Sequence, residues 1–283
     1  RIWVASSNYA EDLRIDHSIL DQHADSYRKI RNTFRFLLGN LNDNYEKIDL
    51  EKINLSELPE LEQFMLHKIY TLNENFKNYF NNYDFHNLYK ELLNFCTVDL
   101  SAFYFDIRKD SLYCDSKDSK KRQSTIILLN VILNSLLKWF APILSFTTEE
   151  IYRLIMNDNK SIHLTKFLKF PTSFKNENLN QKWLELIKIR NICNISIEEK
   201  RASKEIGSSL EASLKINLDK KLTDISKDVD FSELCITSSA EVSYLENSET
   251  KVQTSKAEGL KCQICWKITK EACSRKTCPK HSE

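Results

Sequence analysis

The chain has 283 residues, of which 41% are hydrophobic and 29% are charged, and its formal net charge is +1. This size allows two domains, and three glycines with four prolines are too few for the many tight turns of a β-sandwich or β-barrel, so a mostly helical fold is predicted. The balanced charge excludes a general attraction to nucleic acid or to membranes, and any site for a polyanion must therefore be a local patch.

The first residues and the cysteines indicate whether the chain is a fragment and in which compartment it occurs. The first residue is Arg1, and the segment that follows reads as the middle of an element, so a fragment of a longer protein is expected. Nothing resembles a signal peptide. Eight cysteines are present, but a helical chain of this length needs no disulfides, and a reducing compartment, the cytoplasm, is therefore predicted.

The first long helix is predicted after Asp16, a suitable N-cap, with Gly39-Asn40 as its stop. Its apolar residues recur at helical spacing and should form the buried stripe: Leu20, Ala24, Tyr27, Ile30, Phe34, Leu37 and Leu41. Beside this stripe runs a row of arginines, Arg28, Arg31 and Arg35. The row is either a solvated flank of the helix or a contact with RNA phosphates, which guanidinium groups reach with paired donors.

Further helices are predicted from Glu60 to Asn81 and from Asp84 to Phe95. The most apolar helix covers 128–140, and Pro142 must kink or end it before Ser145 begins another helix. A stripe of polar residues along 128–140, together with the proline, argues against a membrane span. Four helices with connectors of moderate length predict an antiparallel bundle.

The C-terminal half has a different pattern. An extended linker at 161–171 should lie back on the bundle, and a helix should run from about Asn180 toward Gly207. Strands are predicted at 213–218 and 232–242, and 246–258 has the composition of a flexible tether. The predicted domains are a helical domain at 1–175, a small α+β segment at 176–250 and a zinc-finger module at 257–283.

A cluster of four cysteines lies in the last segment. Cys262-Gln-Ile-Cys265 has the two-residue gap that presents two sulfurs to one tetrahedral metal ion, and Cys273 and Cys278 can complete the site. One structural Zn²⁺ is predicted, because the segment is too small to fold on a core of its own. His281 is an alternative ligand to Cys273. A redox role for the first pair is disfavoured, since no βαβ unit precedes it.

The zinc module is locally basic, with seven Lys or Arg and three acidic residues from 256 to 283. Trp266 either covers the metal knuckle or stacks on an unpaired base, with Lys267 beside it to neutralise phosphate. No catalytic residue is predicted anywhere in the chain, because a glycine-rich phosphate loop, a nucleophile with its base and an acidic metal cluster are all missing from the sequence.

Five segments together resemble the C-terminal part of bacterial isoleucyl-tRNA synthetases, which are class I aminoacyl-tRNA synthetases. They are RIWVAS at 1–6, ADSYRKIRNTFRFLLGNL at 24–41, FCTVDLSAFY at 95–104, APILSFTTEEI at 141–151 and CQICW at 262–266. The APILSFTTEEI type of segment is shared with valyl and leucyl relatives. The second and the last segments are the more specific ones, and the Cys-x-x-Cys-Trp tail argues against a valyl enzyme.

The resemblance implies a helical-bundle anticodon-binding domain, a small α+β segment and a zinc-binding tail, which together bind tRNA(Ile) as a monomer. In such enzymes ATP is used by a catalytic domain, whose HIGH and KMSKS signatures are missing from this sequence, so the chain alone should not activate isoleucine. The family's tail has a second Cys-x-x-Cys, whereas Cys273 and Cys278 are separated by four residues. A different class of function, a helical interaction module whose zinc tail binds protein, is the alternative.

Overall fold

A computed structural model describes residues 1–41, 45, 49–156, 160–245 and 250–271 of the chain. The chain divides into two compact units, Arg1–Glu177 and Asn178–Glu283. The predicted mostly helical fold is confirmed, since 65% of the residues that the structure describes are helical. The division of the second unit into an α+β segment and a zinc-finger module stays a prediction.

The first unit is built from helices. These are α1 (Ile2–Ser6), α2 (His17–Leu41), α3 (Glu60–Asn81), α4 (Phe85–Asn94), a π-helix (Phe95–Phe105), α5 (Asp106–Cys114), α6 (Lys120–Phe140) and α7 (Ser145–Met156). Short 3₁₀ turns lie at Leu50–Lys52, Leu55–Glu57, Ile162–Leu164 and Thr172–Phe174. Helix α2 ends at Leu41, within one residue of the predicted stop Gly39-Asn40. The predicted span of α3 is confirmed, with Pro59 as its N-cap.

Helix α6 forms the centre of this unit and contacts α2, α3, α5 and α7. Its side chains on several faces are fully buried, among them Leu129, Ile132, Leu136 and Phe140. Burial of each such side chain contributes about 1.5–3 kcal/mol to folding. The helix is long and apolar enough to cross a membrane, but 72% of that window is buried against the rest of the unit, as expected for a core helix.

The π-helix Phe95–Phe105 continues α4 without a break and leads directly into α5. The predicted helix from Asp84 to Phe95 agrees with α4 to one residue at each end, but the π-helix that continues it was not predicted. Phe95, Leu100 and Phe105 follow one another at steps of five, and each is at most 5% exposed. A π-helix has i→i+5 hydrogen bonds and therefore a wider turn than an α-helix, so residues five apart lie closer to one face than they would in an α-helix.

The extended segment that follows α7 packs on the helices of the first unit, as predicted. Lys138 donates to the carbonyl of Lys166 (2.8 Å), and the ring of Phe167 lies 5.2 Å from that of Phe80. The amide of Asn73 also donates to the carbonyl of Leu168 (3.4 Å).

The second unit opens with α8 (Glu177–Ala202) and contains a three-stranded sheet. Its other elements are a 3₁₀ turn (Ser209–Glu211), β1 (Ala212–Leu218), α9 (Lys220–Ser226), α10 (Phe231–Leu234), β2 (Ser239–Tyr244), β3 (Lys251–Lys256), β4 (Leu260–Lys261) and β5 (Ile268–Thr269). The strand order is β2-β1-β3, with β1 parallel to β2 and antiparallel to β3. Buried and more exposed side chains alternate along the central strand β1, as expected for a strand with one buried face, and Leu214 and Ile216 are fully buried.

Two predictions for this unit are wrong. The segment 232–242 begins as helix α10, because Asp230 accepts backbone N–H groups of Ser232 and Glu233 and so starts a helix, and the strand begins only at Ser239. The supposed tether contains β3, whose Thr254 pairs with Leu214 of β1. The free backbone groups at the edge of β1 explain how so polar a segment becomes ordered.

Candidate RNA-binding surface

Helix α2 carries the predicted arginine row, and its N-cap is confirmed. The Oδ1 atom of Asp16 accepts the N–H of Ile19 (2.9 Å) and the hydroxyl of Ser18 (2.7 Å). These hydrogen bonds, that of Ser18 above all, lower the pKa of Asp16. The buried stripe of α2 begins only at Ile30, whereas Leu20 is 42% exposed. The predicted burial of the first two turns is therefore wrong, and the outer face of the helix is open to solvent.

The three arginines differ in their partners. Arg28 is ion-paired with Asp25 one turn away. The Nη1 atom of Arg31 lies 3.5 Å from the hydroxyl of Tyr27. Arg35 is exposed, and neither it nor Arg31 forms an ion pair with any residue that the structure describes. The guanidinium groups of Arg31 and Arg35 can therefore bind a phosphate without first breaking an ion pair.

A groove of about 650 Å³ runs between α2 and α7. We call it the arginine groove; Arg31, Arg35 and Gly39 line its α2 side, and Thr147, Glu150 and Leu154 line its α7 side. A Cβ atom added to Gly39 would meet nothing within 4 Å. The groove thus brings together two of the predicted arginines, with one acid, Glu150, on the opposite wall.

A second cleft, of about 540 Å³, lies on the other flank of α2, beside the π-helix and α5. We call it the aromatic cleft. Its lining includes Lys29, Asn32 and Phe36 from α2, Ser101 and Phe105 from the π-helix, and Asp106, Lys109 and Tyr113 from α5. The rings of Phe36 and Phe105 are stacked, with centroids 4.2 Å apart and planes at 17°. Lys109 is paired with Asp106 (2.9 Å).

The aromatic cleft has the chemistry of binding rather than of catalysis. Its one thiol, Cys96, is fully buried, and burial raises its pKa to about 12. The neutral thiol is a poor nucleophile. This cleft was not predicted from the sequence, because the π-helix that places Ser101 and Phe105 beside α2 was not predicted. The aromatic-rich segment at 95–105 was the signal that could have indicated it.

The residues around Cys262 and Cys265 form a small hairpin, which we call the knuckle. Strands β4 and β5 pair antiparallel, and the N–H of Trp266 donates to the carbonyl of Cys262 (3.0 Å). The N–H of Ile264 donates to the Sγ atom of Cys262 (3.4 Å), a contact that favours a thiolate. Both cysteines are at most 8% exposed. Two sulfurs in one tight turn fit half of a tetrahedral zinc site.

The other predicted zinc ligands, Cys273 and Cys278, and the alternative His281 lie outside the described residues. Within the described part of the chain, no group of three metal-ligating side chains is present. The four-cysteine site therefore stays a prediction.

Trp266 and Lys267 lie at the end of the knuckle turn. Trp266 is 59% exposed, and the Nζ atom of Lys261 lies 5.5 Å from its ring centroid, within the range of a cation–π contact. Its ring is thus available at the surface. Lys267 is partly exposed and close to Asp230. Burial acts to raise the pKa of Asp230, but the hydrogen bonds that it accepts from Ser232 and Glu233, together with the charge of Lys267, outweigh burial, and the pKa is lowered.

Comparison with known proteins identifies the family of this chain. Residues 62–216 match the family model described as the anticodon-binding domain of tRNA ligase. The isoleucine–tRNA ligase of Pelagibacter ubique is 72% identical over 275 residues, which are 97% of this chain and 30% of that protein. Those of Agrobacterium fabrum and Zymomonas mobilis are each 38% identical over 95% and 94% of the chain, and 28% of their own lengths. The chain therefore spans less than a third of these relatives.

Proposed function

Since this chain belongs to the anticodon-binding domain family of tRNA ligases and corresponds to the C-terminal part of bacterial isoleucine–tRNA ligases, we propose that it binds the anticodon arm of tRNA(Ile). Within this proposal, isoleucine is activated with ATP by a catalytic domain outside these 283 residues. The proposed enzyme is cytoplasmic and monomeric.

The exposed face of α2 is the observation that carries the proposal. Arg31 and Arg35 lie on adjacent turns beside an open groove, and neither is ion-paired among the described residues. Phosphates of an RNA stem can replace water around both guanidinium groups without the loss of an ion pair within the protein. Arg28 should contribute less, because Asp25 already neutralises part of its charge.

The proposal includes one structural zinc ion held by Cys262, Cys265, Cys273 and Cys278. The buried sulfurs of the knuckle and the N–H bond to Cys262 support the first two ligands. The ion would fix the fold of the tail. Trp266 and Lys267 would then meet RNA as a second, smaller contact, in which the exposed ring stacks on a base.

Filter binding of tRNA(Ile) at several salt concentrations tests the role of α2. Replacement of both Arg31 and Arg35 by Gln should weaken binding at low salt. It should also reduce the slope of log affinity against log salt by about 0.7–0.9 for each lost phosphate contact, thus by about 1.4–1.8 for the pair. The matched control is Lys90→Gln, which removes an exposed charge from α4.

Two results would refute the proposal. One is equal binding by the double arginine variant and by the Lys90 control. The other is no preference of the unaltered chain for tRNA(Ile) over other tRNAs. A protein-binding module, the alternative, predicts both results.

A further inference from the structure

We propose that the aromatic cleft binds one unpaired nucleobase of the RNA, and that Asn32 selects adenine there. This assignment rests on the proposed function, because it places a base beside the surface that binds phosphate. It adds a second contact, which reads a base and not the backbone.

The position of the cleft is the first support. Arg28, Asn32, Arg35 and Gly39 follow one another at steps of three or four, so they form a line along the exposed side of α2, which we call the α2 ridge. The arginine groove lies on one flank of the ridge and the aromatic cleft on the other. A helix with its side chains is only about 10–12 Å wide. A nucleotide whose phosphate contacts the ridge can therefore reach the cleft with its base.

The lining of the cleft is the second support. The ring of Phe36, which is stacked on the buried ring of Phe105, forms an aromatic floor, and the ring of Tyr113, which is 65% exposed, is open to a base. Base–aromatic stacking is the usual way in which proteins hold bases of single-stranded RNA. The hydroxyl of Ser101 and the cation of Lys29 add polar contacts in the same cleft.

Asn32 is the group that can distinguish bases. It is exposed, it lines the cleft, and its amide forms no hydrogen bond with any residue described by the structure. An asparagine amide donates to one atom of adenine and accepts from the neighbouring amino group, a pair that guanine cannot form in the same way. The free amide beside an aromatic floor therefore favours adenine.

The charges of the cleft favour a nucleotide over an apolar peptide. Lys29 has no acidic partner among the described residues, whereas the acid of the cleft, Asp106, is already paired with Lys109. The net charge left open is positive, which suits a phosphate-linked base. The buried neutral thiol of Cys96 supplies no nucleophile, so the occupant should be bound and released unchanged.

The test uses a hairpin RNA that contains the anticodon arm of tRNA(Ile), in which each adenine of the loop is replaced in turn by guanine. Binding to the full chain should weaken at a single position, where the base enters the cleft. Replacement of the natural base at that position by guanine should weaken binding about 5- to 100-fold. In Asn32→Ala this discrimination should disappear, while the salt dependence stays unchanged.

The matched control is Asn78→Ala, which removes an exposed amide from α3. If Asn32→Ala and Asn78→Ala discriminate adenine from guanine equally well at every position, the nucleobase site is refuted. The proposed function would survive that result, provided that the variant of Arg31 and Arg35 still binds more weakly. If the arginine variant binds as tightly as the unaltered chain, the proposed function itself fails.

Discussion

Removal of the buried guanidinium of Arg108 should destabilise the helical unit more than any surface change. Arg108 binds Glu62 with two hydrogen bonds, Nε to Oε1 at 2.6 Å and Nη2 to Oε2 at 2.7 Å. Their side chains are 4% and 0% exposed. The hydroxyl of Tyr104 donates to the same carboxylate at 3.0 Å, and burial, above all, raises the pKa of Tyr104 well above its usual value. The cluster ties α3 to the π-helix and to α5.

The expected loss of stability follows from this geometry. In Arg108→Met the carboxylate of Glu62 stays buried without its counter-ion, and a broken buried pair of this kind costs about 3–5 kcal/mol. For a unit of this size each kcal/mol lowers Tm by about 2–4 °C, so a fall of about 6–20 °C is expected. The apolar variant Glu62→Leu, Tyr104→Phe, Arg108→Met removes both buried charges of the cluster and the hydroxyl that donates to the carboxylate. It should recover most of the loss, because no charge then remains unpaired.

Thermal unfolding followed by far-ultraviolet circular dichroism measures both variants, and urea unfolding at 25 °C gives the free energies. Arg153→Gln is the control, since its pair with Glu149 is 68% exposed on the arginine side and should be worth little. A fall in Tm of less than about 2 °C for Arg108→Met would contradict the reasoning, since it would imply less than about 1 kcal/mol. So would a triple variant no more stable than the single one.

Three further predictions concern single residues. Burial lowers the pKa of His67, whose Nδ1 accepts the N–H of Asn176 (2.9 Å). The neutral imidazole should therefore contribute its whole share of the free energy of unfolding above pH 6.5, and this share should be lost as the pH falls. In urea unfolding, the free energy of His67→Gln should depend less on pH. Gly39→Ala should raise stability by about 0.5–1 kcal/mol in the same assay, because the site is helical and open. Gly259→Ala should lower zinc content in elemental analysis, because Gly259 has φ +132° and its Cβ would lie 2.2 Å from the carbonyl oxygen of Thr269 in the knuckle.

Local signals in the sequence were sufficient for α2 and α3, whereas α6 begins at Lys120, eight residues before the predicted apolar segment. Asp16 caps α2 and Pro59 precedes α3, and both helices begin where these residues predict. The strand at β3 had no such signal, because a polar segment becomes a strand only when the edge of β1 offers it hydrogen bonds. Helix α10 did have a local signal, because Asp230 is a suitable N-cap and accepts the N–H groups of Ser232 and Glu233. The alternating apolar residues in the same segment predicted a strand instead.

The same distinction applies to the candidate site. The spacing of Arg28, Arg31 and Arg35 was enough to predict that they share a face of α2, because three- and four-residue steps fix that face. The aromatic cleft depends on the register between α2 and a π-helix, and a step of five among Phe95, Leu100 and Phe105 fits neither an α-helix nor a strand. The aromatic-rich segment at 95–105 indicates that something packs there, but not the register with α2 that forms the cleft.

The proposed contacts gain from the way in which α2 is held. Ile30, Phe34 and Leu37 on its inner face are at most 1% exposed, and the ring of Phe34 lies 6.0 Å from that of Phe140 on α6. The backbone of the α2 ridge is therefore fixed before any ligand arrives, and only the side chains of its outer face must be ordered on binding. That ordering costs about 0.5–1.5 kcal/mol for each long side chain, whereas a mobile segment would also have to order its backbone. Two clefts on opposite flanks of one rigid helix can thus bind phosphate and base in a fixed relation, which is what recognition of one loop among many tRNAs requires.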